Sequence, residues 1–131
     1  MTKFLITGSS GFIGFHLSKA LLDEGIEVIG IDGMTEYYDL NLKKTRNSIL
    51  KNYKNYTFIN VMLEDFNSLK KNVLKFNPEI IFHLAAQPGV RYSFENPKSY
   101  LDSNITGTFN LIEISRQLCL KHFLFASTSS I

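Results

Sequence analysis

Several things are scarce in this sequence. It holds one cysteine, Cys119, three prolines and no tryptophan in 131 residues. One thiol allows no disulfide framework within the chain. Cys119 lies in an apolar stretch with helical spacing, so a core position is expected for it. No run approaches the roughly 18 apolar residues that a membrane-spanning helix needs. The N-terminus enters a short apolar segment at once, without the charged-then-apolar build of a leader. A cytoplasmic location and no membrane partner are therefore the default. Excess charge of one sign is missing too: 14 Lys and Arg face 12 Asp and Glu. The net charge of +2 is too small to argue for a nucleic-acid partner. The basic cluster Lys43, Lys44, Arg46, Lys51 and Lys54 reads as a solvated helix face. No metal site is expected, and no repeat, low-complexity stretch or linker interrupts the chain. With 44% apolar and 20% charged residues, it suits one globular domain with a real core.

Hydrophobic patterning then alternates strand and helix. Lys3–Thr7 reads as a buried strand and Gly11–Glu24 as an amphipathic helix closed by Gly25. Glu27–Ile31 is a second strand, ending at Asp32. A loop over Gly33–Leu40 leads to a weakly patterned helix from Asn41 to about Asn52. Tyr56–Met62 is a third strand. Asp65–Phe76 is a helix capped by Asp65 or Asn67 and stopped by Asn77-Pro78. Glu79–Leu84 is a fourth strand, and Ala85–Asn96 a loop. Pro97 suits the first turn of a long helix reaching about Leu120. Lys121–Ala126 is a fifth strand. This alternation predicts an α/β fold: a Rossmann-type, doubly wound parallel sheet in strand order 3-2-1-4-5. The chain stops before a sixth strand, as an N-terminal portion would.

The first strand runs into Gly8-Ser9-Ser10-Gly11-Phe12-Ile13-Gly14 and then into the helix. Gly8 suits the tight turn, Gly11 leaves room for a pyrophosphate, and Gly14 permits close helix–sheet packing. The helix N-terminus offers free N–H groups and partial positive charge to phosphates. Three glycines alone are a weak signal; the strand before and helix after supply the context of a dinucleotide site. Asp32 stands at the distance expected of the acid that holds the ribose hydroxyls. It would repel a 2′-phosphate and no Arg follows closely, so NAD is favoured over NADP. Leu84, Ala85 and Ala86 end the fourth strand on the same crevice. His83 reads as a structural strand residue. Asn104, inside an otherwise apolar helix, needs a partner, either strand backbone or the cofactor.

Together these segments resemble the extended short-chain dehydrogenase/reductase superfamily, within it the NAD-dependent epimerase/dehydratase family and, most narrowly, its UDP-glucuronate 4-epimerase group. The resemblance rests on Thr7–Gly14, His83-Leu84-Ala85-Ala86-Gln87-Pro88-Gly89-Val90-Arg91-Tyr92-Ser93, Glu95-Asn96-Pro97, Asp102–Asn110, and Phe125-Ala126-Ser127-Thr128-Ser129-Ser130. Tyr37-Tyr38-Asp39 and the Gly89–Ser93 loop point to the epimerase group. The resemblance implies that residues 1–131 are the NAD-binding domain of a nucleotide-sugar 4-epimerase whose substrate domain lies elsewhere. It implies transient oxidation at the sugar C4, with hydride passing to NAD and returning to the other face. Thr128 matches the hydroxyl that bonds the sugar 4-hydroxyl. Gln87, Arg91 and Ser129 are expected to meet substrate, and Ser10, Phe12, Ile13, Leu63 and Asn104 to join the cofactor site. The long helix is expected to serve a homodimer.

Four departures stand out. The family's Tyr-x-x-x-Lys pair is absent and expected beyond Ile131. Met62 stands where relatives carry an acid that reads adenine, leaving Leu63 to serve through its backbone. Gly33 replaces a common Asn. Ser129-Ser130 in place of Asp-Glu disfavours dehydration.

Overall fold

The computed structural model describes residues 2–34, 39–86 and 92–127. Five parallel strands form one sheet in the order β3-β2-β1-β4-β5, as the alternation predicts. They are β1 (Lys3–Thr7), β2 (Glu27–Ile31), β3 (Tyr56–Ile59), β4 (Ile80–His83) and β5 (His122–Phe125). The register aligns Leu5 with Ile29 and Ile81, and Ile29 with Thr57. The core lies on both faces of this sheet. One side gathers Leu5, Ile29, Ile31, Leu69, Val73, Ile81, Leu111 and Ile114. The other gathers Ile6, Phe15, Leu22, Val28, Leu50 and Tyr56. Alternate strand residues feed opposite faces, so Leu5 and Ile6 enter different clusters.

Helix α1 (Phe12–Asp23) ends where Gly25 takes φ +81. Gly25 donates to Leu22 and Ile26 to Leu21, the paired bonds of a Schellman close. Helix α2 (Leu40–Lys51) is capped by Asp39, and α3 (Phe66–Phe76) by Asp65. Asn77 leaves α3 in the left-handed conformation. A short helix α4 (Tyr92–Glu95) falls inside the expected loop. The expected single long helix is instead α5 (Pro97–Tyr100), a π-helical turn (Leu101–Thr106) and α6 (Gly107–Ser115).

Two boundaries differ from expectation for clear reasons. Edge strand β3 ends at Ile59, not Met62, because its neighbour β2 ends opposite it at Ile31. Helix α6 stops at Ser115 rather than Leu120: Gln117 and Leu118 donate to Ile114 and Ser115, tightening the last turn. Leu118 and Leu120 then reach the core from an irregular segment, and Cys119 between them is exposed. The core position expected for that thiol is thus wrong. Among the described residues, no helix is long and apolar enough to cross a membrane, and no His, Cys, Asp and Glu cluster could hold a metal ion.

His83 bolts three elements together beneath the strand ends. Thr7 Oγ1 accepts the N–H groups of Leu84 and Ala85, each at 3.0 Å. Both lone pairs are then used, so the hydroxyl proton goes to His83 Nδ1 at 2.8 Å. Nε2 therefore carries the ring proton and donates it to Thr108 Oγ1 on α6, also at 2.8 Å. Phe123 and Phe125 cover the ring. Burial pushes the imidazole pKa down to about 4, and a second ring proton would meet a hydroxyl with no lone pair free. The unfolded chain therefore binds a proton that the folded chain refuses. The stability this provides is complete above pH 6.5 and is lost as pH falls towards 4. By pH 4.5 the loss is roughly 2.5 kcal/mol. Urea denaturation at pH 7.0 and 4.5 should show that drop in the wild type, and a His83→Gln chain should lose most of it.

Candidate functional site

A cleft of about 360 Å³ opens beyond the carboxyl ends of β1, β2 and β4. That is at the small end for ligand sites, and it lies at the crevice where doubly wound folds bind ligands. Its wall holds Gly8, Gly11, Phe12, Ile13, Gly14, Asp32, Leu63, Leu84, Ala85 and Ala86 from the expected set. It also holds Gly33, Lys43, Val61, Met62, Glu64, Ser103 and Ala126.

The glycine turn explains the floor. Gly8 sits at φ +75 and donates to the Ile31 carbonyl, which ties the turn to β2. A Cβ on Gly14 would lie 2.0 Å from the Gly8 carbonyl oxygen, so α1 rests directly on the turn. A Cβ on Gly11 would meet only that same oxygen, at 3.3 Å. The protein nearly tolerates a side chain at Gly11, so the space it leaves faces the cleft. Helix α1 has no side-chain cap and no acid in its first turn, whereas Asp39 and Asp65 cap α2 and α3. Its first N–H groups take no side-chain acceptor, the condition in which a helix N-terminus can receive an anion.

Asp32 is 6% exposed and held from three sides. Its Oδ2 accepts the Ser10 N–H at 3.1 Å; its Oδ1 accepts the Met34 N–H at 2.8 Å and Lys43 Nζ at 3.0 Å. The two side chains of this ion pair are 10% and 6% exposed. Nearby, Arg46 donates to the Ser10 carbonyl and lies over the Phe12 ring. The solvated-face reading of this basic run therefore fails at Lys43 and Arg46. A buried carboxylate requires a counter-charge, and α2 delivers one. Three of the carboxylate's roughly four acceptor positions are filled, so about one remains for a ribose hydroxyl rather than two.

Met62 and Gly33 turn out to be one feature. A Cβ at Gly33 would lie 2.0 Å from Met62 Sδ, so the thioether occupies the space of a side chain at that position. Leu63 is positioned by α6: Asn110 donates to its carbonyl at 2.9 Å, and Gly107 lets its side chain approach the helix. The sequence held a signal for this in Gly107 and Asn110, three residues apart on one helix face. On the far side of the turn, Tyr56 donates to Ser9 Oγ across Gly30, where a Cβ would collide with both. Burial raises the Tyr56 phenol to about 12, so it remains a donor.

Ser10 is fully buried behind the turn. It meets Asp32 through its N–H and is absent from the cleft wall. Asn104 is half-buried in the π-helical turn, where its neighbour Ser103 reaches the cleft. Gln87, Arg91, Thr128 and Ser129 lie outside the described residues, as do Tyr37 and Tyr38.

Comparison with known proteins agrees with this geometry. The family model described as GDP-mannose 4,6 dehydratase matches residues 5–131. A probable UDP-glucuronate 4-epimerase of Rhizobium meliloti is 50% identical over 129 residues, covering 98% of this chain and 38% of that protein. The UDP-glucuronate 4-epimerase of Thermodesulfobacterium geofontis is 43% identical over 131 residues, covering 100% and 41%. The UDP-glucuronic acid 4-epimerase of Bacillus cereus, solved with UDP-glucuronic acid and NAD, superposes with a TM-score of 0.90. It is 34% identical over 99% of this chain and 41% of its own. The chain thus spans about 40% of the length of these relatives.

The buried pair makes a stability prediction. Lys43→Met or Asp32→Asn leaves one buried charge uncompensated, which costs about 3–5 kcal/mol. The double variant removes both charges and should be clearly more stable than the sum of the two losses. Chemical denaturation of all four chains measures the coupling; additive losses would show that the pair is not buried in solution.

Proposed function

The chain belongs to the GDP-mannose 4,6 dehydratase family of NAD-dependent epimerases and dehydratases, and on that premise we propose that residues 1–131 are the NAD-binding domain of a UDP-glucuronate 4-epimerase. The observation that carries the reading is the uncapped α1 N-terminus beside Gly11, with Asp32 one strand away on the same cleft. An anion fits the first, a ribose hydroxyl the second, and the strand order sets them side by side. NAD, when bound, supplies a reversible hydride acceptor.

The residues of this chain then have separable roles. The N–H groups of Phe12, Ile13 and Gly14 hold the pyrophosphate. Asp32 accepts a ribose hydroxyl, and Lys43, held against it, keeps the carboxylate oriented. Leu84, Ala85 and Ala86 let the cofactor lie against backbone. Thr128 holds the sugar 4-hydroxyl, and Gln87, Arg91 and Ser129 meet the substrate, with Arg91 suited to the glucuronate carboxylate. The Tyr-x-x-x-Lys pair and the sugar-reading domain would come from outside residues 1–131. A cytoplasmic location follows from this reading. An exposed apolar stripe on the π-helical turn and α6 (Leu101, Ile105, Phe109 and Ile112) supports a homodimer.

Calorimetric titration of this chain with NAD and NADP tests the reading. NAD should bind at least tenfold tighter than NADP, and Gly11→Val should abolish binding while leaving the far-UV circular dichroism intact. NADP preference, or binding unaffected by Gly11→Val, would overturn it. Binding without turnover of UDP-glucuronate is the outcome expected of a non-catalytic portion. Sedimentation should show a dimer that Phe109→Asp dissociates.

A further inference from the structure

Lys43 is the one cation on the cleft wall among the described residues. Its place is unfavourable on two counts. It stands in the first turn of α2, where the helix dipole disfavours positive charge, and its side chain is only 10% exposed. A nearly buried ammonium needs a counter-charge. Asp32 is that counter-charge in the free chain, accepting from Nζ at 3.0 Å. The pair is balanced within itself, so the Lys43 charge reaches a ligand only if the carboxylate gives it up.

The position of the pair decides which ligand atoms it would meet. Asp32 leaves β2, one strand from the glycine turn that leaves β1. A dinucleotide with its pyrophosphate on α1 turns a ribose to Asp32, and in such folds the acid takes the 2′-hydroxyl. The 2′ oxygen would then face a carboxylate with an ammonium held against it. The carboxylate accepts a hydroxyl proton and has none to give to a phosphate. The ammonium is a charged donor, which a phosphate monoester accepts strongly. Arg46, one turn further along α2, stands on the same flank, donating to the carbonyl of Ser10 while the Ser10 N–H goes to Asp32. The cations of a phosphate site are thus present, and one carboxylate engages the nearer of them.

We propose that Lys43 is a specificity residue of the ribose site and carries a latent phosphate-monoester subsite, which Asp32 occupies. The inference rests on the NAD reading above and extends it to the 2′ position. With the carboxylate in place, Nζ is engaged and the 2′-hydroxyl is preferred. With the carboxylate neutralised by substitution, the same ammonium loses its counter-charge, and a 2′-phosphate supplies one. The site then selects NADP without any cation being introduced.

The test is calorimetric titration of the 131-residue chain and its variants with NAD and NADP. The wild type should prefer NAD. Asp32→Asn should reverse the order and bind NADP about tenfold tighter than NAD. Adding Lys43→Met to Asp32→Asn should remove the reversal, weakening NADP about tenfold while moving NAD less than about threefold. Adding Lys43→Arg instead keeps the charge and should keep the NADP preference. NADP should also raise the melting temperature of Asp32→Asn more than NAD does, because the phosphate compensates the stranded ammonium. If Asp32→Asn does not fold, Asp32→Ser leaves room for water beside Nζ and should show the same reversal. An Asp32 variant that still prefers NAD, or an NADP preference that survives Lys43→Met, overturns the proposal and leaves the NAD reading standing. A wild type that prefers NADP, or binds neither dinucleotide, overturns both.

Discussion

A buried carboxylate organises this molecule. Asp32 lies at the end of β2, and its charge has to be met inside the protein. Ser10 meets it from the glycine turn, Met34 from the following loop, and Lys43 from α2. Three otherwise separate segments are thereby fixed around one functional group. The turn cannot shift without stranding an oxygen of Asp32, and α2 cannot shift without stranding Lys43. Fold stability and site geometry are the same interaction seen from two sides. Met34, whose N–H reaches the carboxylate, leaves this loop in the left-handed conformation at φ +54.

The polar groups around the cleft are treated unequally. Helices α2 and α3 spend an aspartate each on their N-terminal N–H groups, and α5 spends Asn96. Helix α1 spends nothing, although its N-terminus follows directly on the central strand β1. Beneath the cleft the opposite policy holds, where Thr7, His83 and Thr108 saturate one another. The scaffold is closed by its own side chains below the cleft, while the α1 N-terminus on the cleft has no side-chain cap.

Much of the fold was legible because its signals are local. Strand β1, strand β2 and the Gly25 close follow from apolar runs and one glycine, each decided within a few residues. The strand order followed from alternation and handedness. What escaped depended on distant partners. The end of β3 is set by its neighbour rather than by its own apolar run, which continues to Met62. Lys43 looked solvent-bound because helix periodicity says nothing about a carboxylate eleven residues earlier. Met62 and Gly33 looked like two losses, yet each accommodates the other. Asn104 drew attention as a polar residue in an apolar helix. Asn110, one and a half turns on, is the one buried against the Leu63 carbonyl. Periodicity could not rank the two, because the π-helical turn between them resets the face each presents.

The unsatisfied groups of the cleft are arranged by sign. At the β1 exit the lack is of an acceptor: the α1 N-terminus has no side-chain cap. One strand away Asp32 keeps about one acceptor position free, with Lys43 beside it. A ligand that satisfies both in order is an anion, then a hydroxyl-bearing ring. Each requirement alone is met by many small molecules. The two together, laid across adjacent strands of one sheet, are met by a nucleotide joined through its phosphates. The residues that most narrow the ligand are therefore those that the fold itself leaves unpaired.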